Sequence, residues 1–156
     1  GETGAIAIYD GIIKASRDPD LISFALDHRE REKVHLDWIE GVVPVLGRSR
    51  LLIAWKVAGF VTGFLPALFG CNAVYATIDA VETFVERHYS SQIDRLAADG
   101  DQEELRWLLV RCRDDEIEHR DQARNHQSVS SGYLLTGWCW LVGKGSAAAV
   151  ALARKF

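Results

Sequence analysis

Arg113-Asp114-Asp115-Glu116-Ile117-Glu118-His119 places a glutamate and a histidine three residues apart inside a long segment of 3.6-residue periodicity. Residues i and i+3 of an α-helix share one face, so the Glu116 carboxylate and the His119 imidazole can reach a single point. The same spacing occurs 84 residues upstream in Glu32-Lys33-Val34-His35. Ten glutamates and five histidines scattered at random through 156 positions would give less than one such match. Either pair alone reads as a surface hydrogen bond. Two pairs on separate helices point to a metal site held between helices.

Outward from these motifs, strand signals are poor. Periodic segments are separated by short breaks at Asp18-Pro19, Gly47-Arg48, Gly70-Cys71, Gly100-Asp101 and the cluster from Ser128 to Gly132. The spacing predicts six helices, at about 2–16, 20–40, 50–69, 72–97, 101–127 and 130–153. Asp20 and Asp101 are the expected N-caps, the second with Glu104 completing a capping box. Short connections make sequential neighbours antiparallel. The expected class is all-α: a four-helix bundle with two additional hydrophobic helices, in a single domain over 1–156.

Composition supports this and narrows the functions. Apolar residues make up 48% of the chain, enough for a real core, so disorder is excluded. The net charge is −4, with no domain-wide basic field, so no nucleic acid is expected as partner. Cys71, Cys112 and Cys139 form no CxxC pair, which excludes a zinc ribbon and a disulfide framework and suggests a reducing compartment. The sequence has no methionine, so a trimmed N-terminus is the expectation, and no signal peptide is expected.

Two stretches lack charge: Val57 to Ile78, which is 22 residues long, and Val129 to Gly143 with Tyr133, Leu134, Leu135, Trp138, Trp140 and Leu141. The first has the length of a membrane span, but Pro66 and the turn Gly70-Cys71-Asn72 favour two helices instead. Both stretches read either as core helices or as helices lying in a membrane interface, with Arg48, Arg50 and Lys56 near headgroups. Phe60, Phe64 and Leu68 form one buried or lipid-facing stripe.

A di-metal carboxylate bundle needs one more glutamate from each of two other helices. Glu2 shares a face with Ile6, Tyr9 and Ile13. Glu82 lies on a stripe of Tyr75, Ile78, Val85, Tyr89, Ile93 and Leu96; Glu86, one turn on, competes for the same role. In the fifth helix, Leu105, Leu109, Cys112, Glu116, His119 and Ala123 share one face. Carboxylates on apolar stripes are costly to bury unpaired. Four of them repel, and two divalent cations cancel their charge. Oxygen and imidazole donors suit iron or manganese. Asp115 reads either as a carboxylate facing His35 across the bundle or as a solvated charge. His28, one turn before Glu32, is expected at the surface or directly behind the ligands rather than among them, and His126 at the surface.

The stretches Gly1-Glu2-Thr3-Gly4-Ala5, Glu32-Lys33-Val34-His35-Leu36, Val57-Ala58-Gly59-Phe60, Ala80-Val81-Glu82, His88-Tyr89 with Gln92, and Arg113 to His119 together resemble the demethoxyubiquinone hydroxylase family of ubiquinone biosynthesis. The resemblance runs from Gly1 to about Gln127 and weakens beyond. It implies a ferritin-like di-iron monooxygenase, peripheral to a membrane, with Glu2, Glu32, His35, Glu82, Glu116 and His119 as ligands of two iron ions. Glu32 and Glu116 are implied as bridging carboxylates, and His88 and Tyr89 as catalytic residues near the site. Plain core packing is the other reading of Tyr89.

The implied reaction hydroxylates the ring of a prenylated demethoxyquinone with dioxygen and electrons from NADH. No Gly-x-Gly-x-x-Gly is present, so electrons must arrive without a Rossmann domain in this chain. An apolar channel between the third and sixth helices is expected to admit the tail. A mitochondrial inner membrane (matrix face) and a bacterial inner membrane (cytoplasmic face) both fit. A homo- or hetero-oligomer and a lipid-binding partner protein are further expectations. The alternatives are a ferritin-like iron oxidase or storage protein, and a non-enzymatic helical lipid-binding protein.

Overall fold

A computed structural model of the chain describes residues 1–42, 51–100, 102–128 and 132–153. These residues form six α-helices: α1 (Glu2–Ala15), α2 (Pro19–Val42), α3 (Leu52–Ala67), α4 (Cys71–Asp99), α5 (Glu103–His126) and α6 (Tyr133–Ala153). The all-α expectation holds, and each boundary falls within a few residues of its expected position. Among the described residues no helix is long and apolar enough to cross a membrane.

The caps differ from expectation in one place. Asp18, rather than Asp20, starts α2: its Oδ1 accepts from the backbone N–H of Asp20 at 3.0 Å and of Leu21 at 2.9 Å. Pro19 takes the first helical position, where its missing N–H costs nothing. Helix α5 opens at Glu103 after Gln102, which makes no side-chain cap; the expected cap Asp101 lies outside the described residues, as do Arg48 and Arg50.

The uncharged Val57 to Ile78 stretch is broken as its composition predicts. Pro66 cannot donate, and the end of α3 tightens to three-residue hydrogen bonds, Leu68 N to Leu65 O and Phe69 N to Pro66 O. Gly70 then turns the chain at a φ of +102°, a conformation natural to glycine, and α4 begins at Cys71.

Helices α1, α2, α4 and α5 form the bundle: α1 packs on α2, α2 on α5, and α4 on α5. Helix α3 lies on α1 and α4, and α6 on α4. The α1–α3 contact is backbone on backbone. A Cβ on Gly59 would strike the carbonyl oxygen of Gly4, one on Gly63 that of Ile8, and one on Gly11 that of Phe60.

Two apolar clusters fill the bundle. One gathers Tyr9, Ile12, Leu21, Ala25, Val74 and Ile78; the other gathers Tyr89, Ile93, Leu108, Leu109 and Cys112. Each buried Leu or Ile contributes roughly 1.5–3 kcal/mol. Along α4 and α5 the polar residues Glu82, Glu116 and His119 fall between the two clusters. Water is thereby excluded from both ends of that polar layer.

The expected channel between the third and sixth helices is not where α6 makes its groove. A groove of about 530 Å³ runs between α6 and the α4–α5 pair, lined by Ala80, Phe84, Arg87, Arg124, Trp140 and Lys144 among others. Ala80, Phe84 and Arg87 occupy the side of α4 away from Glu82.

Candidate metal centre

Helical spacing places each side chain of the centre. On α2 the buried positions are Leu21, Ala25, His28, Glu32 and His35; on α5 they are Leu108, Leu109, Cys112, Glu116, His119 and Ala123. Both are i, i+3/i+4 stripes in which polar residues replace apolar ones for one turn. Helix α1 adds Glu2 and α4 adds Glu82. All six expected ligands are buried: Glu2 is 8% exposed, and Glu32, His35, Glu82, Glu116 and His119 are 2% or less.

One donor atom from each of Glu32, Glu82, Glu116 and His119 lies within 4.8 Å of the others. His35 joins them, with its Nδ1 3.2 Å from Glu116 Oε1 and 3.8 Å from Glu32 Oε2. His119 Nδ1 mirrors it, 3.2 Å from Glu116 Oε2 and 3.6 Å from Glu32 Oε1. Despite these distances, His35 Nδ1, His119 Nδ1, Glu32 Oε1 and Glu116 Oε2 make no hydrogen bond. Nitrogens and oxygens that face one another without bonding are placed as ligands of a shared cation are placed.

Glu2 stands beside this group, near enough to Glu116 for their charges to interact. Although it opens the first turn of α1, it is held: Tyr89 Oη donates to its Oε1. Tyr9 Oη donates to Glu82 Oε1 at 3.3 Å. Glu2 and Glu82, which have no histidine three residues on, are thus each oriented by a tyrosine. The competing Glu86 accepts from Arg120, outside the centre. Asp115 is the carboxylate facing His35, its Oδ2 2.9 Å from His35 Nε2.

Charge explains the titration of the group. Burial and the neighbouring Glu116 and Glu32 charges hold Glu82 well above the usual carboxylate range. Burial and Glu116 raise Glu32 to about 7. Burial disfavours charged imidazoles, yet the Glu116 and Asp115 carboxylates raise His35 to about 9. Glu116 and Glu32 do the same for His119, also to about 9. Protons therefore occupy the centre in the place of metal charge. Cys112 sits in the apolar cluster with Tyr89, Leu108 and Leu109 rather than in the donor group, and burial pushes its thiol to about 12.

His88 and Tyr89 part company. Tyr89 is buried against Glu2, whereas His88 is half-buried and stacks on Phe84, with ring centroids 5.9 Å apart. The structure does not bring His88 to the centre. Two residues outside the expected set do belong there. The sequence marks Tyr9 only as part of an apolar face. His28 is not at the surface: it is 1% exposed, packed 4.2 Å from His119 between ring centroids, and its Nε2 lies 3.0 Å from Gln122 Oε1. Its position one turn before Glu32 was the available signal. His126 is exposed, as expected.

The family model of the ubiquinone biosynthesis protein COQ7 matches residues 1–153. The chain belongs to the COQ7 family. Among similar proteins is the mitochondrial NADPH-dependent 3-demethoxyubiquinone 3-hydroxylase of Caenorhabditis elegans, 29% identical over 159 residues, covering 99% of this chain and 84% of that protein. The Rattus norvegicus protein of the same name is 32% identical over 161 residues, covering 100% and 73%. The 3-demethoxyubiquinol 3-hydroxylase of Rhodospirillum rubrum is 35% identical over 125 residues, covering 78% and 58%. Membership of a family whose relatives are named hydroxylases makes the chain an enzyme of ubiquinone biosynthesis. It does not favour the storage and lipid-binding alternatives.

Proposed function

We propose that the chain hydroxylates the ring of demethoxyubiquinone, using dioxygen and electrons from a reduced nicotinamide nucleotide, at a di-iron centre. The carrying observation is the pair of buried Nδ1 atoms, of His35 and His119, that face Glu116 without bonding to it. The donor set fits iron: carboxylate oxygens and imidazoles, with no thiol among the gathered donor atoms of the described residues. Glu2, Glu32, His35, Glu82, Glu116 and His119 would hold two ions, with Glu32 and Glu116 central because each faces both histidines. When bound, iron supplies the activation of dioxygen.

The chain's own residues do the rest. Tyr89 and Tyr9 fix the carboxylates of Glu2 and Glu82. Asp115 orients His35. The apolar clusters on either side keep water from the reacting ring. The mitochondrial relatives' names specify NADPH; NADH is the donor expected for this chain, and both belong in the assay.

A membrane surface is the proposed source of the prenylated substrate. Helix α3 and its end expose Ile53 (80%), Val57 (60%), Leu68 (58%) and Phe69 (83%), and α6 exposes Tyr133, Leu134, Trp140 and Leu141. So many large apolar side chains exposed on two helices are uncommon on a protein that faces only water. Phe60, at 36%, is less exposed than these.

The test is iron-loaded protein with NADH or NADPH, labelled dioxygen and a short-tailed demethoxyquinone. One labelled oxygen atom in the quinone, absent with Glu116→Ala, is the expected result. Two bound irons without incorporation would overturn the hydroxylase reading.

A further inference from the structure

The groove of about 530 Å³ between α6 and the α4–α5 pair takes no part in the metal centre. Its α6 wall is fixed where Trp138 Nε1 donates to Thr77 Oγ1 at 2.9 Å. Phe84 on α4 and Trp140 on α6 give it apolar surface, and Arg87, Arg124 and Lys144 bring three cationic side chains to it. Asp79 is the one carboxylate among the described lining residues, and Arg124 Nε already donates to it at 2.8 Å. Arg87 and Lys144, both exposed, have no ion pair among the described residues. In a chain of net charge −4, two uncancelled cations lining one groove are a local excess of positive charge.

The groove also borders exposed apolar side chains. Trp140 lines it and is 65% exposed, and Leu141, next along α6, is 56% exposed. An indole is suited to the boundary between headgroups and acyl chains, and Arg and Lys hold their charges at the end of apolar stems. Such a basic recess can take a phosphate while the attached chains run over the neighbouring apolar surface. A nicotinamide nucleotide also carries phosphate. However, Phe84 and Arg87 stand on the side of α4 away from Glu82, so a nicotinamide held there would not touch a quinone ring at the metal centre.

We propose that this groove binds the phosphate of an anionic phospholipid headgroup between Arg87 and Lys144, with Trp140 at the headgroup boundary. The inference deepens the membrane reading and rests on it. The exposed apolar side chains of α3 and α6 supply attachment to any bilayer, and the groove selects the lipid by charge.

Flotation of the full chain tests this, with vesicles of phosphatidylcholine alone or with a third of the lipid replaced by phosphatidylglycerol. The parent should prefer the anionic vesicles. Arg87→Gln with Lys144→Gln should weaken binding to them about 25-fold, about fivefold for each cation lost. Binding to neutral vesicles should stay unchanged, which also shows that the variant folds. Arg17→Gln with Arg106→Gln removes the same charge from exposed positions outside the groove and should cost less than about threefold, because salt screens distant charges. Equal losses from the two pairs, or a parent without preference for anionic vesicles, would overturn the headgroup site alone. Binding of NADPH in lipid-free solution that Arg87→Gln with Lys144→Gln abolishes would give the groove to the nucleotide and overturn the lipid assignment. Absence of binding to either vesicle would overturn the membrane reading and this inference together.

Discussion

Asp115 Oδ2 lies 2.9 Å from His35 Nε2, reaching from α5 to α2 across 80 residues of sequence. The contact sets the tautomer and orientation of His35 and turns Nδ1 toward Glu116. Asp115→Ala should therefore lower affinity for a divalent ion about 10–100-fold while leaving the helix content unchanged. Chelator competition with cobalt reads this directly. Unaltered affinity would mean that packing alone orients the ring.

Glu82 is buried with no cationic side chain among its described partners, and its proton is held tightly. Glu82→Gln keeps the shape and an acceptor for Tyr9, and mimics the neutral carboxyl that the metal-free bundle holds while removing the carboxylate a metal would need. The metal-free variant should melt no lower than the parent. Its stabilisation by added metal should shrink, since a ligand stabilises only in proportion to its binding. Thermal melts with and without cobalt measure both halves of the expectation.

Stability of the metal-free chain should fall as pH rises. His35 and His119 titrate at about 9 when folded, against an ordinary 6.5. Protons bound more tightly by the folded state stabilise it fully below the lower value, and the benefit disappears as pH passes the higher one. Metal uptake needs those protons gone, so affinity should increase across the same window, with proton release. Melts of chelator-treated protein at about pH 6 and about pH 9, with calorimetry in two buffers, would show opposite trends for the metal-free and loaded forms.

Gly63 leaves no room for a methyl group against Ile8 of α1. Gly63→Ala should destabilise the fold by about 1–3 kcal/mol. It should also weaken metal binding, because α1 carries Glu2 and Tyr9. Denaturant titration gives the first value and cobalt titration the second. A variant that loses neither would show that α3 moves freely on α1.

Ile53→Asp with Phe69→Asp should release the chain from phospholipid vesicles. Burying an aliphatic or aromatic side chain is worth about 1.5–3 kcal/mol, so each change should weaken partitioning roughly tenfold or more. Flotation assays score it. Retained binding would place the docking face elsewhere, with α6 the next surface to alter.

Helical periodicity alone determined much of this protein. Glu32 with His35, and Glu116 with His119, are local relationships within one turn, so their shared faces follow from spacing. Glu2 and Glu82 were legible as carboxylates on apolar stripes. The break at Gly70 was legible because proline and glycine act on their own backbone. What periodicity cannot state is which neighbour covers a face. That Asp18 caps α2 in place of Asp20 depended on where the chain enters the helix. That Tyr9 bonds Glu82 is a contact over 73 residues. That His28 is buried against His119, while His88 stacks on Phe84 away from the centre, was decided by how α2 meets α5 and how α4 is turned. A helix's sequence defines its stripes, but the partner for each stripe is chosen by the packing of whole helices, whose contacts are long-range and mutually dependent.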